Sequence, residues 1–170
     1  MGVLRFDFKE VWDMEAACGD DVTDSDNPAP TTQPGIYIIH NENENTTYVG
    51  YADNAKKRWG SRYEAFHCFG IPAAYAKKVR CGFCIPTFNG PVAMNYCGFL
   101  GCEHVLIRAV VNGLLGVTQN TNTQLSNTLF SPGALFGDIV VEVFFPVGHY
   151  ATWGKLENAK TVKIRKHDRY

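Results

Sequence analysis

No stretch of this 170-residue sequence approaches the roughly 20 consecutive apolar residues that a membrane-spanning helix needs. The opening residues, MGVLRFDFKEVWDMEAACGDD, lack the basic and then apolar regions of a cleavable secretory leader. The expectation is a protein with no membrane as partner. It would work in the cytoplasm, or be delivered into a target cell by a route that needs no such leader. There is no internal repeat and no low-complexity tract, which excludes repeat architectures. Acid is scarcest in the middle of the chain: between Glu64 and Asp138 the sole carboxylate is Glu103. What is present is ordinary for a globular domain. Hydrophobic residues make up 45% and charged residues 19%, and the length allows about one domain with one core.

The net charge of -1 hides a division. Residues 1–30 hold eight acids (Asp7, Glu10, Asp13, Glu15, Asp20, Asp21, Asp24 and Asp26) against Arg5 and Lys9, which leaves 14 bases and nine acids in residues 31–170. Bases cluster at Lys56, Lys57, Arg58, Arg62, Lys77, Lys78 and Arg80, and again from Lys155 to Arg169. Clustered Lys and Arg are the electrostatic footprint of a polyanion partner, although ordinary charge scatter on a solvated face gives the same pattern.

Local patterns set a coarse order of elements. Residues 3–12 suit an edge strand or a helix, and the Asp-, Pro- and Thr-rich residues 19–34 read as a loop. Gly35–His40 and Thr46–Tyr51 are β-branched and aromatic around the polar turn Asn41–Asn45, which predicts a β-hairpin; without an Asn-Gly pair its turn type is open. Asp53 or Asn54 can cap a helix running to about Phe66, with Arg58 and Arg62 on one face. Residues 67–98 read as irregular, with a short helix at 72–79. Gly101–Val111 has helical periodicity with an Asn112-Gly113 stop, an Asn/Thr-rich loop spans Gln119–Asn127, and Asp138–Val147 reads as a buried strand. The fold class expected is α/β (α+β), with a small central antiparallel sheet that includes the hairpin and is flanked by helices.

Gly35-Ile36-Tyr37 and Tyr48-Val49-Gly50, with their tyrosines eleven residues apart, resemble the GIY-YIG endonuclease superfamily. Downstream, Arg58, then Arg62 or Tyr63, then Glu103, then Asn120 follow in the family's order, so the resemblance covers about residues 34–127. It departs from the family at Val49, which replaces the usual isoleucine, and at Arg62, where His or Tyr is common. Asn112, Asn122 and Asn127 compete with Asn120. Singly, each residue has an ordinary explanation: half-buried sheet tyrosines, a solvated helix arginine, a helix N-terminal carboxylate, a turn asparagine. The ordered set is what separates a nuclease from these.

The resemblance implies a divalent-metal-dependent endonuclease that hydrolyses DNA phosphodiesters, with Tyr37, Tyr48, Arg58, Arg62, Glu103 and Asn120 as its site. Tyr37 would be the general base and Tyr48 its neighbour in orientation or relay. Arg58 would clamp phosphate through its planar fork, and Asn120 would orient site groups. Glu103 would hold Mg²⁺ or Mn²⁺, since a hard cation of this kind takes only one or two carboxylates. The division expected is an acidic segment and linker (1–33), a nuclease domain (34–150) and a basic extension (151–170). A nuclease with little reading apparatus suits an antibacterial toxin or effector, neutralised by an immunity protein. Restriction, repair or mobile-element roles are alternatives, as is an inactive nucleic-acid-binding or interaction module on the same frame.

Cys81, Cys84, Cys97 and Cys102 have a C-x2-C-x12-C-x4-C spacing that superficially suits tetrahedral zinc, with His67 and Cys68 as spare ligands. The wide second pair and the apolar surroundings favour reduced core cysteines over zinc, and zinc over disulfides. His40 and His67 flank the expected site, and a histidine at a strand end is usually structural.

Overall fold

In the computed structural model, which describes residues 2–13, 32–41, 45–54, 79–89, 98–119, 138–145 and 160–165, the two β-branched runs pair as an antiparallel hairpin. The strands are β1 (Gly2–Asp7), β2 (Lys9–Asp13), β3 (Gly35–Asn41), β4 (Thr46–Ala52), β5 (Val79–Cys84), β6 (Thr87–Asn89), β7 (Thr118–Gln119), β8 (Ile139–Phe144) and β9 (Lys160–Ile164). A helix, α1 (Phe99–Val111), lies between β6 and β7. They form a five-stranded sheet, β2-β5-β3-β4-β7, and a four-stranded sheet, β6-β1-β8-β9. The β4–β7 and β1–β8 pairings are parallel and the others antiparallel. The chain is therefore an α/β structure. The sequence expectation of one small antiparallel sheet gives way to two mixed ones.

Alternation decides what each strand buries. Leu4, Phe6 and Phe8 face inward from β1 and its end, and Val141, Val143 and Phe145 from β8 and its end, while Arg5, Asp7 and Glu142 face out. Ile36, Ile38 and Val49 of the hairpin join the same core, with Val105, Leu106, Ala109 and Val110 of α1. Leu106 is fully buried there. Leu106→Ala is expected to cost about 2–5 kcal/mol in urea unfolding, through lost transfer energy and the cavity left behind. Among the described residues no helix is long and apolar enough to cross a membrane.

The helix stop is built as the sequence suggests. Gly113 takes the left-handed φ of 66°, and its N–H donates to Val110 O at 2.9 Å. Leu114 N–H donates to Ala109 O at 3.0 Å, which completes a Schellman motif. The hairpin turn ends on Asn45 at φ 53°, a conformation that Asn tolerates, and its Nδ2 donates to Gly116 O at 3.0 Å. That bond ties the turn to the segment following α1.

Four local expectations need correction. Residues 3–12 supply two strands: β2 is an edge strand as expected, whereas β1 lies inside its sheet because β6 and β8 cover both its edges. The region taken as irregular contains β5 and β6, and Val79 begins a strand where a helix was expected to end. Gly82 and the short length of β6 obscure the alternation that marks strands. The strand at 138–147 is shorter, Ile139–Phe144, and only alternate residues are buried. Lys160–Ile164, within the expected basic extension, forms β9 against β8, since its alternation places Ile164 inside and Lys163 outside. Lys163 pairs with Asp138 at 3.0 Å. The expected helix after Asn54, residues 72–78 and most of the loops at 19–34 and 119–127 lie outside the described residues.

Candidate active site

The antiparallel register sets Tyr37 opposite Gly50, and Tyr48 opposite Ile39. Because side chains alternate, Tyr37, Tyr48 and Gly50 share the sheet face opposite Ile36, Ile38 and Val49. The two phenol rings lie 5.9 Å apart, tilted by 43°. Both are buried, at 2% and 8% exposure, so each ring is held by its surroundings.

The motif glycines are as informative as the tyrosines. A Cβ on Gly50 would overlap the Tyr37 ring, and one on Gly35 would overlap the ring of Phe83. Both glycines therefore permit an aromatic side chain to lie flat across a neighbouring strand. In the sequence, Gly35 and Gly50 are only parts of a motif. Their physical role emerges from the pairing.

Glu103 arrives from α1. The helix begins at Phe99, two residues earlier than the sequence suggested, so Glu103 lies beyond the first turn. A stabilising charge at the helix N-terminus is thus not what the carboxylate supplies. Instead Glu103 Oε1 accepts a hydrogen bond from Tyr51 N–H at 2.9 Å. Among the described residues β7 pairs with β4 at Thr46 and Thr47, and Tyr51 lies beyond that pairing. Since Tyr51 follows Gly50 directly, this contact and the Tyr37–Gly50 overlap cap the separation of Tyr37 Oη and Glu103 Oε1 at about 10 Å.

Tyr51 is the residue that the sequence reading missed. Its ring stacks on Phe99 with centroids 5.7 Å apart and planes 12° apart, and its hydroxyl donates to Asp53 Oδ1. The bond to Asp53, followed by burial and the charges of Asp53 and Glu103, pushes the Tyr51 phenol above its usual pKa. An aromatic residue one position beyond the motif was the available signal, and only its contacts give it meaning. Arg58, Arg62, Tyr63, Asn120, Asn122 and Asn127 lie outside the described residues. Asn112 caps the C-terminal end of α1.

His40 is fully buried with its Nδ1 2.9 Å from Thr47 Oγ1, and among the described residues its Nε2 has no hydrogen-bond partner. Burial lowers its pKa to about 4, opposed by a hydrogen bond to the Thr46 backbone. The unfolded chain, with an ordinary value of 6.5, binds the proton more readily. Stability should therefore fall as pH drops from about 6.5 toward 4, by roughly 3 kcal/mol in all. Urea unfolding across that range tests this, and the corresponding slope should flatten in His40→Gln.

The Cys84 and Cys102 side chains are buried in the core. Burial pushes Cys84 well up and Cys102 to about 12, so both stay protonated. The Cys81 side chain, Cys97, His67 and Cys68 lie outside the described residues. Among the described residues no three His, Cys, Asp or Glu side chains gather to hold a metal. For a hard divalent cation the donor chemistry at Glu103 fits: a half-buried carboxylate on a helix, oriented by a backbone N–H, of the kind that Mg²⁺ takes singly beside waters and phosphate oxygens.

Residues 33–79 match the model of a family described as the GIY-YIG catalytic domain. The matched segment contains the hairpin, Arg58 and Arg62, and it ends at the start of β5. No curated protein and no solved structure matches the chain.

Proposed function

We propose that this chain, whose residues 33–79 match the GIY-YIG catalytic domain, hydrolyses DNA phosphodiesters with a divalent cation held by Glu103. The observation that carries this reading is the convergence at the end of β4: the Tyr37 ring lies over Gly50, and the next residue anchors the Glu103 carboxylate. When bound, Mg²⁺ or Mn²⁺ would stabilise charge developing on the phosphate oxygens.

The protein groups supply the rest. Tyr37 accepts the proton of the attacking water, and Tyr48, with its ring 5.9 Å away, orients or relays it. A phenol titrates near 10, so this role needs neighbouring positive charge. Arg58 and Arg62 supply that charge in this reading, and Arg58 grips the phosphate in a bidentate fork. Asn120 completes the site by orienting its groups.

The test is incubation of the purified protein with supercoiled plasmid and with single-stranded DNA, in Mg²⁺, in Mn²⁺ or in EDTA. Metal-dependent nicking supports the proposal. DNA binding without cleavage in either metal would instead mark an inactive binding module on this frame.

Within the enzyme reading, an antibacterial effector is the role we favour over restriction, repair or mobile-element roles. β1 and β9, from opposite ends of the sequence, are built into one sheet packed on the core that the hairpin shares. These segments support the frame that carries the hairpin. Expression in a bacterial host should then arrest growth with degraded genomic DNA, and Glu103→Ala should relieve it. An immunity protein would be the partner that blocks the site.

A further inference from the structure

We propose that Tyr51 is a positioning residue for Glu103, acting through its backbone N–H, its ring on Phe99 and its hydroxyl on Asp53. The inference rests on the nuclease reading, which makes Glu103 the metal-holding carboxylate.

Three contacts of different kinds meet at this one residue. The N–H donates to Glu103 Oε1 at 2.9 Å. The ring stacks nearly parallel on Phe99 at 5.7 Å. The hydroxyl donates to Asp53, two residues on. Phe99 and Glu103 are four positions apart on α1, so they lie on one side of the helix, and Tyr51 holds both.

The helix needs such a hold at this end. Its N-cap residue, Gly98 at φ 52°, has no side chain to cap the first N–H groups, and Cys102 N reaches Gly98 O only at 3.3 Å. A start without a side-chain cap frays readily. Fraying would swing Glu103 relative to the hairpin. The Tyr51–Phe99 stack, packed against the main core, pins the first turn to β4. The bond to Asp53 then fixes the tilt of the Tyr51 ring.

Groups that orient a metal-holding side chain are typically worth 10- to 100-fold in metal affinity. The test is titration of the full chain with Mn²⁺ alone, followed by electron paramagnetic resonance, beside the Mg²⁺ concentration for half-maximal nicking, the KM for DNA and the thermal midpoint. Tyr51→Leu and Phe99→Leu should each weaken Mn²⁺ binding about 10- to 100-fold. The KM for DNA should stay unchanged. Tyr51→Phe keeps the stack and the N–H, so it should weaken binding only a few-fold. Asp53→Ala should match Tyr51→Phe, and Asp53→Asn, which retains an acceptor, should recover most of that loss.

If Tyr51→Leu and Phe99→Leu lower the thermal midpoint but leave Mn²⁺ affinity and Mg²⁺ half-saturation at wild-type values, the pair only braces the fold and the proposal is overturned. If the wild type neither nicks DNA nor shows a Mn²⁺ signal that Glu103→Gln removes, the nuclease reading itself has failed, and this inference with it.

Discussion

Glu103→Gln is expected to reduce metal-dependent DNA cleavage by about 10²- to 10⁴-fold while leaving the fold intact. The two side chains have the same shape, and the amide oxygen can still accept the Tyr51 N–H that Glu103 Oε1 accepts at 2.9 Å. What disappears is the negative charge that would hold the cation. A bound metal contributes several kcal/mol of transition-state stabilisation, and each 1.4 kcal/mol is about tenfold in rate. Nicking rates at saturating Mg²⁺, measured beside the thermal midpoint, separate the two quantities. Cleavage by Glu103→Gln at the wild-type rate would remove Glu103 from the mechanism.

Gly50→Ala should be nearly as damaging, although it adds a single methyl group away from the carboxylate. That methyl would occupy the space of the Tyr37 ring, chiefly its outer end and hydroxyl. An exposed ring would swing aside at little cost. Tyr37 is 2% exposed, and Tyr48 stands 5.9 Å from it, so its escape is hindered. The hydroxyl must leave its position, and loss of a general base typically costs about 10²- to 10⁴-fold. The strain of overpacking adds roughly 1–3 kcal/mol of destabilisation. Gly50→Ala and Tyr37→Phe should each be damaging, and the double variant should be little worse than either, because both remove one hydroxyl from one place. Additive losses would mean that Gly50 acts through something other than Tyr37. A pH–rate profile unchanged by Tyr37→Phe would count against its role as base.

Elements whose signal is local were legible. The hairpin follows from two β-branched runs around an Asn-rich turn, and α1 from its helical periodicity and its Asn112-Gly113 stop. β5 was not legible, because Gly82 interrupts its apolar pattern and its stability comes from lying between β2 and β3. β9 falls within the expected basic extension, where two lysines obscure the inward Val162 and Ile164, and only the neighbouring β8 gives those residues a surface to cover. At the site, the tyrosines and Glu103 could be named from their order along the chain. Tyr51 could not, since its contacts reach Phe99 and Glu103, about 50 residues away, and one of them uses only its backbone.

Taken alone, the amino-acid order determined which side chains are available for chemistry: two phenols on one hairpin, clustered guanidinium groups, and a single carboxylate in a long acid-poor stretch. It also determined the local geometry that alternates Tyr37 and Ile38 to opposite faces of a strand. Only the tertiary structure decided that Glu103 leaves the helix-terminal role for the edge of β4, that His40 loses its water, and that two glycines lie beneath aromatic rings. The division has a physical cause. Dihedral preference and side-chain periodicity act over a few residues, whereas burial and cross-strand contact depend on which distant segment the core brings alongside.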